Sequence, residues 1–471
     1  MIHQRNSLLR LTLAGVVACL TVSCGGGNDG SGFSPPTLAP SCSVATERNF
    51  VLNTTREWYL FLELLPATID PGSFATADDL LDALTAEARS QNKDRFFSFI
   101  TSIQAEQQFL AQAESVGFGF SSVVREGTRL FLTQVFENSA AAEAGFLRGD
   151  EILAIGPSAA NLTAVSVLLG TPDGLTTALG PGDPGVTRTF RVRTLGGTEV
   201  LRSPTKRTFS LNPVPTTSLI PRTGLDPVGY VNLRTFVSPA DAALRAAFAQ
   251  FRANDVRNVI VDLRYNGGGL VSTAEILGNL LAAQAVGDVL YRTRLNAQKT
   301  AEEETVLIRT DTNSIATLNI AFLATNASAS ASELVINSLS PYANVAIIGS
   351  STFGKPVGQF AFDLRGCDTR LRLVTFKTEN KDLVADYFDG LPGPNTKIRL
   401  CPAADDLTRA QGDPLETMTS NALSWINSPD VCPTMTAPGD EFATAAQQLP
   451  DVYYPRPPRP SPVQVLQPGT F

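Results

Sequence analysis

The chain has 471 residues, of which 43% are hydrophobic and 17% are charged, as expected for a globular protein of about two to four domains. The formal net charge is −8 and no basic run occurs, which argues against a nucleic-acid-binding protein. The single histidine is His3, and without this N-terminal residue a Ser-His-Asp triad and histidine-ligated zinc are excluded.

Residues 1–23 have the pattern of a lipoprotein signal peptide. Arg5 and Arg10 form a positive region before an apolar stretch over residues 11–22. This stretch is too short to span a membrane, so we expect it to be an export signal that is removed.

The residues that lead to Cys24 resemble a bacterial lipobox, which implies lipidation of Cys24. Cys19 is a rival lipidation site, and an ordinary secretory signal is an alternative. Residues 24–41 are rich in Gly, Ser, Asp and Pro, which predicts a flexible tether. No aspartate follows Cys24, which resembles outer-membrane sorting. We therefore expect a periplasmic lipoprotein that contacts the membrane only through its lipid anchor.

Four cysteines lie beyond the signal and the lipidation site: Cys42, Cys367, Cys401 and Cys432. An even number in an exported chain predicts two disulfides, for which three pairings are possible. None of the four belongs to a Cys-x-x-Cys pattern, so metal binding and redox catalysis are weak interpretations. We predict no cofactor and no metal.

Residues 42–112 predict a small helical domain. Thr76 has the position of an N-cap before a helix with apolar residues on one face. Residues 96–109 predict a further helix. We assign the aromatic residues of this domain to its core, because no pattern in it indicates chemistry.

Residues 113–212 alternate between apolar and polar residues, beginning near Gly117-Phe118-Gly119-Phe120. Together with a later Ala-Gly-Phe…Gly-Asp-Glu-Ile-Leu segment, this pattern resembles a PDZ domain. The resemblance implies that the loop amides bind a peptide's C-terminal carboxylate and that the peptide adds a strand to the sheet edge. We expect Phe118 and Phe120 to line a pocket for an apolar terminal side chain.

Residues 213–433 contain two units in which a buried strand is followed by a turn and a helix. In the first unit, the strand over residues 259–263 ends in a turn with three glycines, Gly267 to Gly269. Such a turn exposes backbone amides, but it lacks the Gly-x-Gly-x-x-Gly and Gly-Lys-Ser/Thr patterns of phosphate-binding loops. Paired carboxylates at Asp405 and Asp406 suggest a helix N-terminus rather than acid–base chemistry.

The second unit carries the sequence Ser-Ala-Ser-Ala-Ser-Glu over residues 328–333, directly before a helical pattern. A serine at a helix N-terminus lies beside unpaired amides that can stabilise an oxyanion, although Ser-Ala repeats are also ordinary capping residues. Without histidine, a hydrolytic serine needs another base, and Lys355 in the turn over residues 352–355 (Thr-Phe-Gly-Lys) is the candidate. Burial of its amine would lower the pKa enough for this role.

These motifs resemble the serine–lysine core of the C-terminal processing (tail-specific) peptidases. The resemblance implies that Ser330 is the nucleophile, that Lys355 is the base and that Gln359 orients the lysine. The amide of Ala331, which follows the serine at the helix start, is one predicted oxyanion donor.

The segment Asp-Leu-Arg-x-Asn-x-Gly-Gly, which begins at Asp262, resembles a second signature of the same family. This resemblance implies a further oxyanion donor at Gly268, with Gly269 as the alternative. We interpret Asp262, Arg264 and Asn266 as structural partners rather than catalysts.

The family resemblance covers roughly residues 116–426. It implies an α/β (α+β multidomain) protein with a crotonase-like ββα catalytic domain, a PDZ-like β-rich domain and a small N-terminal helical domain. Residues 434–471 form a Pro-rich tail that we expect to be extended.

We therefore predict an exported serine endopeptidase with a Ser-Lys dyad. It would act on protein or peptide substrates selected through their C-termini, with no nucleic-acid partner. One alternative is a catalytically silent PDZ peptide-binding scaffold of the cell envelope. A second is an acyl-transfer or lyase enzyme on the related crotonase-type fold, for which no CoA-site pattern is visible.

Overall fold

The computed structural model describes residues 42–433, 453–455 and 462–467. The predicted signal peptide, the tether and Cys24 lie outside the described residues. Within the described ranges, no helix has the length and apolar character needed to cross a membrane. The same part of the chain contains no cluster of His, Cys, Asp and Glu side chains that could hold a metal ion.

The N-terminal region folds mainly into helices, as predicted, and the side chain of Thr76 caps its helix by accepting a hydrogen bond from the Asp79 amide. The further helix predicted within residues 96–109 is present but covers only Ile103–Gln112, because Phe99–Thr101 form a strand that pairs with a strand of the predicted catalytic domain. The elements are α1 Val44–Trp58, α2 Ala77–Leu84, α3 Ala86–Ser90, β1 Phe99–Thr101 and α4 Ile103–Gln112.

The β-rich domain, residues 113–212, contains an antiparallel sheet in the order β3-β4-β5-β7-β8, with β6 paired to β5. Its edge strand β3 directly follows the predicted carboxylate-binding loop. A separate two-stranded sheet joins β2 and β9. The elements are β2 Glu114–Gly117, β3 Phe120–Arg125, β4 Arg129–Val135, α5 Ala140–Glu143, β5 Glu151–Gly156, β6 Thr163–Ala164, α6 Val165–Leu169, α7 Gly174–Leu179, β7 Thr189–Arg193, β8 Glu199–Arg202 and β9 Arg207–Ser210.

The remaining elements build two sheets and their covering helices. They are β10 Thr216–Arg222, β11 Leu225–Asn232, α8 Ser238–Ala253, β12 Asn258–Asp262, α9 Val271–Leu281, β13 Val289–Leu295, β14 Thr305–Leu307, β15 Asn319–Ala324, α10 Ala331–Leu339, β16 Asn344–Gly349, β17 Val357–Asp363, β18 Arg370–Glu379, β19 Arg399–Pro402, α11 Thr417–Asn427 and α12 Pro462–Leu466. The helix α12 contradicts the expectation of an extended tail for this part of it.

The first sheet has the order β10-β11-β12-β15-β16-β19 and is parallel from β11 onward. Its central strands β12 and β15 are apolar in their middle and buried along their whole length, as expected for a parallel sheet covered on both faces. Because β12 and β15 are parallel neighbours, the turns that follow them lie at the same edge of the sheet. The three-glycine turn and the Ser330 turn are therefore adjacent.

The second sheet carries the lysine turn, which leads directly into β17. Strand β18 pairs with β17, with β13 and with β1 of the N-terminal region. Helices α1 and α2 pack on this sheet, and their core residues Leu80 and Leu84 share one apolar cluster with Leu371 and Leu373 of β18. The N-terminal region thus forms part of the support for Lys355.

Two disulfides are present, as predicted, and the structure resolves the pairing that the sequence left open. Cys42 is bonded to Cys367, and Cys401 is bonded to Cys432. The first bond links the start of α1 to the turn between β17 and β18, and the second links β19 to the segment after α11.

Asp405 does not lie at a helix N-terminus, contrary to the expectation from the sequence. Its carboxylate belongs instead to a buried network of ion pairs. Its carboxylate accepts from Arg148 of the β-rich domain at 2.7 Å and from Arg264 at 2.9 Å. Arg264 also pairs with Asp262 and Glu416. Burial alone would raise the pKa of Asp405, but the two arginines hold this pKa well below its usual range.

Candidate active site

Ser330 sits between β15 and α10 in a strained conformation, with φ 57° and ψ −114°. A positive φ is unfavourable for a non-glycine residue and is typically found where the surrounding structure enforces it, often at functional sites. The neighbouring serines have other partners. Ser328 Oγ donates to the Leu263 carbonyl at 2.7 Å, and Ser332 Oγ donates to the Asn266 carbonyl at 2.8 Å. Ser330 is therefore the serine of this motif that is available for chemistry.

The amine of Lys355 is held by Gln359 inside the protein. Lys355 is only 8% exposed, and its Nζ donates to Gln359 Oε1 at 2.8 Å. Gln359 in turn donates through Nε2 to the Phe97 carbonyl, and the Phe97 ring centroid lies 5.1 Å from Lys355 Nζ. This chain of contacts fixes the direction of the lysine side chain.

Glu333 joins the serine turn to the lysine turn. Its fully buried carboxylate accepts from the amides of Ser330 at 2.9 Å, Gly354 at 2.7 Å and Lys355 at 2.8 Å. The Thr352 hydroxyl donates to the same group. Burial raises the pKa of Glu333, although each of these donors favours the ionised form.

The three-glycine turn lies directly against Ser330. A Cβ atom added to Gly268, whose φ is +114°, would stand 2.8 Å from Ser330 Cβ and 3.1 Å from the Ala331 nitrogen. The Gly268 amide donates to Asn266 Oδ1 at 2.9 Å. The oxyanion roles of Gly268 and Ala331 remain predictions, and the Gly268 amide would have to leave Asn266 to take up its role.

Ser330, Lys355 and Gln359 line one cavity of about 130 Å³. Gly269, the alternative glycine of the turn, also borders this cavity. The apolar part of the wall comes from Phe99, Leu110, Leu270, Val271, Val465 and Leu466. The structure thus brings the predicted nucleophile, base and orienting amide to one cavity.

The predicted carboxylate-binding loop lies in the β-rich domain. Phe118 and Phe120 are at most 1% exposed and pack with Phe146 and Phe190 in the core of that domain. The expectation that these two rings line a pocket is therefore wrong, since neither ring faces an open space. The backbone of Gly117 to Phe120 remains the candidate peptide-binding feature.

Arg95 and Phe97 of the N-terminal region contribute to the site, and the sequence analysis missed both. Arg95 donates to the carbonyl of Phe353 at 2.7 Å and to that of Gly354 at 2.6 Å. These bonds tie the lysine turn to the N-terminal region. No local signal marks either residue, because their role depends on long-range packing of the N-terminal region.

Comparison with known proteins agrees with this geometry. A sequence profile described as peptidase family S41 matches residues 227–384, and a profile described as the peptidase S41 N-terminal domain matches residues 46–99. The chain belongs to peptidase family S41. Its mixed α/β multidomain organisation is confirmed.

Curated relatives of this member of family S41 include the chloroplastic C-terminal processing peptidase of Tetradesmus obliquus, 30% identical over 48% of this chain and 47% of that protein. A CtpA-like serine protease of Staphylococcus saprophyticus is 26% identical over 28% of this chain and 26% of its own length. The chain thus spans about half the length, or less, of these relatives.

A solved structure assigned to the S41 proteases, from Bacteroides fragilis, has a similar fold. Its TM-score is 0.63 at 24% identity, and the alignment covers 81% of this chain and 97% of that chain. At this identity the likeness concerns the fold.

Replacing Glu333 by glutamine should disrupt both turns. Glu333→Gln presents an NH₂ group to amide donors, and a hydrogen bond to a charged group contributes roughly 1.5–3 kcal/mol. We expect the free energy of unfolding to fall by about 2–4 kcal/mol in denaturant titration. Peptidase activity should fall about 100-fold, because small displacements of reacting groups cost this much.

Glu379→Gln is the matched control, because Glu379 of β18 pairs with the partly exposed Arg294 of β13, outside the candidate site. Its effect on stability should stay below about 1 kcal/mol. Equal effects of the two substitutions on stability and activity would contradict the role of Glu333.

Proposed function

We propose that the chain is an exported serine endopeptidase in which Ser330 is the nucleophile and Lys355 is the general base. The observation that carries this proposal is the shared cavity, in which the lysine amine is bonded to Gln359 beside Ser330. The absence of any histidine other than His3 supports a lysine base. Family membership supports the peptidase class.

The proposed reaction begins with a neutral Lys355 amine. One N–H of this amine donates to Gln359 Oε1, which leaves the nitrogen lone pair to accept the proton of Ser330 Oγ. Oγ then attacks the peptide carbonyl carbon, and the oxyanion is stabilised by the predicted donors at Ala331 and Gly268. The ammonium returns its proton to the leaving amine, and water hydrolyses the acyl-enzyme in a second cycle.

We further propose that substrates are selected through their C-termini by the β-rich domain. Strand β3 is an edge strand that directly follows Gly117-Phe118-Gly119, so a peptide can add to this edge while its carboxylate meets the loop amides. The carbonyls of Phe118 and Gly119 accept bonds from the domain interior, from Ala141 and Phe136 respectively. These bonds fix the conformation of the loop.

Export and lipidation at Cys24 also belong to the proposal. Disulfides persist mainly in oxidising compartments, so the two bonds that tie distant parts of the chain support a location outside the cytoplasm. A lipid at Cys24, followed by the tether over residues 24–41, would place the folded part at a membrane surface of the cell envelope.

Substitution of either dyad residue should abolish proteolysis. We expect Ser330→Ala and Lys355→Ala each to lose about four orders of magnitude or more in kcat/KM on a peptide substrate, because the two groups act as a unit. The exposed Ser351 and the surface-paired Lys377 provide the controls Ser351→Ala and Lys377→Ala, which should retain activity. A folded Lys355→Ala variant with near-normal proteolysis would refute the assignment, and inactivity of the unaltered chain would favour the peptide-binding scaffold.

The rate should rise with pH as Lys355 loses its proton, since only the neutral amine can act as a base. The measurement is kcat/KM on a short ester from weakly acidic to alkaline pH. Lys206 of the β-rich domain provides a control, because burial lowers the pKa of this lysine to about 8. The profile should be unchanged in Lys206→Met. A flat profile, or one that Lys206→Met abolishes, would contradict Lys355 as the base.

Amidation of a substrate's C-terminus should reduce its cleavage. The amide removes the charge that the Gly117–Phe120 loop would bind, so kcat/KM for an extended peptide should fall, while hydrolysis of a short ester remains unchanged. Free-acid and amidated forms of one peptide are compared below saturation. Equal cleavage of both forms would show that the β-rich domain does not bind the carboxylate.

A further inference from the structure

We infer that the C-terminal segment, defined here as the described residues 453–455 and 462–467, is a built-in inhibitor that occupies both substrate-binding sites. The inference rests on the proposed peptidase function, because it assigns the cleft beside Ser330 to the substrate. Two separate contacts carry it, one on the edge of the β-rich domain and one at the catalytic cavity.

The first contact lies on the free edge of strand β3. Val124 donates to the Tyr453 carbonyl at 2.9 Å, and Tyr453 donates to the Val124 carbonyl at 3.3 Å. This antiparallel bridge is the pairing that an added peptide strand would make. The hydroxyl of Tyr454 lies 3.3 Å from Thr325 Oγ1, close to the end of β15. A substrate that extends along β3 would therefore meet Tyr453 in its place.

The second contact lies at the three-glycine turn. The Gly267 amide donates to the Leu466 carbonyl at 2.9 Å, at the end of helix α12. A Cβ atom added to Gly267 would stand 2.7 Å from the Val465 carbonyl oxygen, so only glycine allows this approach. Val465 and Leu466 also line the cavity that contains Ser330 and Lys355.

Apolar packing holds this part of the segment in place. Leu466 packs against a buried cluster that includes Phe109, Phe136 and Val237. With the segment seated, the cavity has about 130 Å³, compared with roughly 300–1,000 Å³ for typical small-molecule sites. The remaining space admits little more than a side chain, so a peptide substrate cannot enter until the segment leaves.

The C-terminal segment binds in the manner of an inhibitor and not of a substrate. Residues Pro462–Leu466 are helical, so their backbone is not extended across the serine. The Leu466 carbonyl is bonded to Gly267, whereas the Gly268 amide, a predicted oxyanion donor, is bonded to Asn266. The reactive geometry is therefore not formed around a carbonyl of the segment.

One buried polar side chain of the C-terminal segment opposes its binding and so makes the binding reversible. The Gln467 side chain is fully buried, and neither its Oε1 nor its Nε2 has a hydrogen-bond partner among the described residues. A buried amide without partners regains hydrogen bonds when it returns to water. Burial of Gln467 therefore weakens the binding of the segment, so substrates that compete for the β3 edge can displace it.

The test compares kcat/KM on one peptide for the full chain, for a chain that ends at residue 450 and for Leu466→Asp in the full chain. If the seated form makes up about 90% of molecules, its release raises kcat/KM about ten-fold. Leu466→Asp provides a second test in case the shortened chain does not fold. The substitution adds a carboxylate near Glu106 and the apolar cluster, so it should release the segment in the full chain. Leu201→Asp, at a position 54% exposed on β8, should change nothing.

A binding measurement separates failure of this inference from failure of the proposed function. A fluorescent peptide of residues 453–467 should bind the shortened chain carrying Ser330→Ala, and the same peptide with Leu466→Asp should bind at least about ten-fold more weakly. It should also inhibit the active shortened chain competitively. Equal activity of full and shortened chains, or no peptide binding, overturns the inference and leaves the peptidase intact. Peptide binding without activity in any form would count against the peptidase instead.

Discussion

The candidate active site depends on one buried carboxylate. Glu333 accepts from the amides of Ser330, Gly354 and Lys355, and these amides belong to a turn that follows β15 of the first sheet and a turn that leads into β17 of the second sheet. An unpaired buried carboxylate is strongly disfavoured, so the two turns are held together wherever this group stays ionised. The conformation of Ser330, with its positive φ, is maintained by the same bonds. The positions of Ser330 and Lys355 therefore follow from the hydrogen bonds that the buried Glu333 carboxylate requires.

The surrounding protein restrains the lysine turn and the three-glycine turn from outside. Arg95 clamps the lysine turn from the N-terminal region. On the other side, Arg148 of the β-rich domain donates to the hydroxyl of Tyr265, which directly precedes the three-glycine turn region, and shares Asp405 with Arg264. Each non-catalytic region therefore contacts one half of the active site. The β-rich domain is connected to the predicted oxyanion turn by a buried network of charges.

The parts predictable from the sequence were those encoded locally. Apolar runs marked the strands before both turns, and the lysine–glutamine contact was implied by the family resemblance of one local motif. The prediction failed where distant segments meet. Residues Phe99–Thr101 look helical in isolation but pair with β18, and Asp405 is positioned by arginines from other regions. The burial of Phe118 and Phe120 likewise depends on Phe190, which lies far along the chain.

In the proposed mechanism Lys355 activates Ser330, and covalent labelling tests this role without a known substrate. The purified chain is treated with a serine-reactive fluorophosphonate, and the modified residue is located by mass spectrometry. We expect one adduct, on Ser330, that forms far more slowly in a folded Lys355→Ala variant, since the hydroxyl then lacks a base. Labelling of Ser330 at an equal rate in both proteins, or an adduct on another serine, would contradict it.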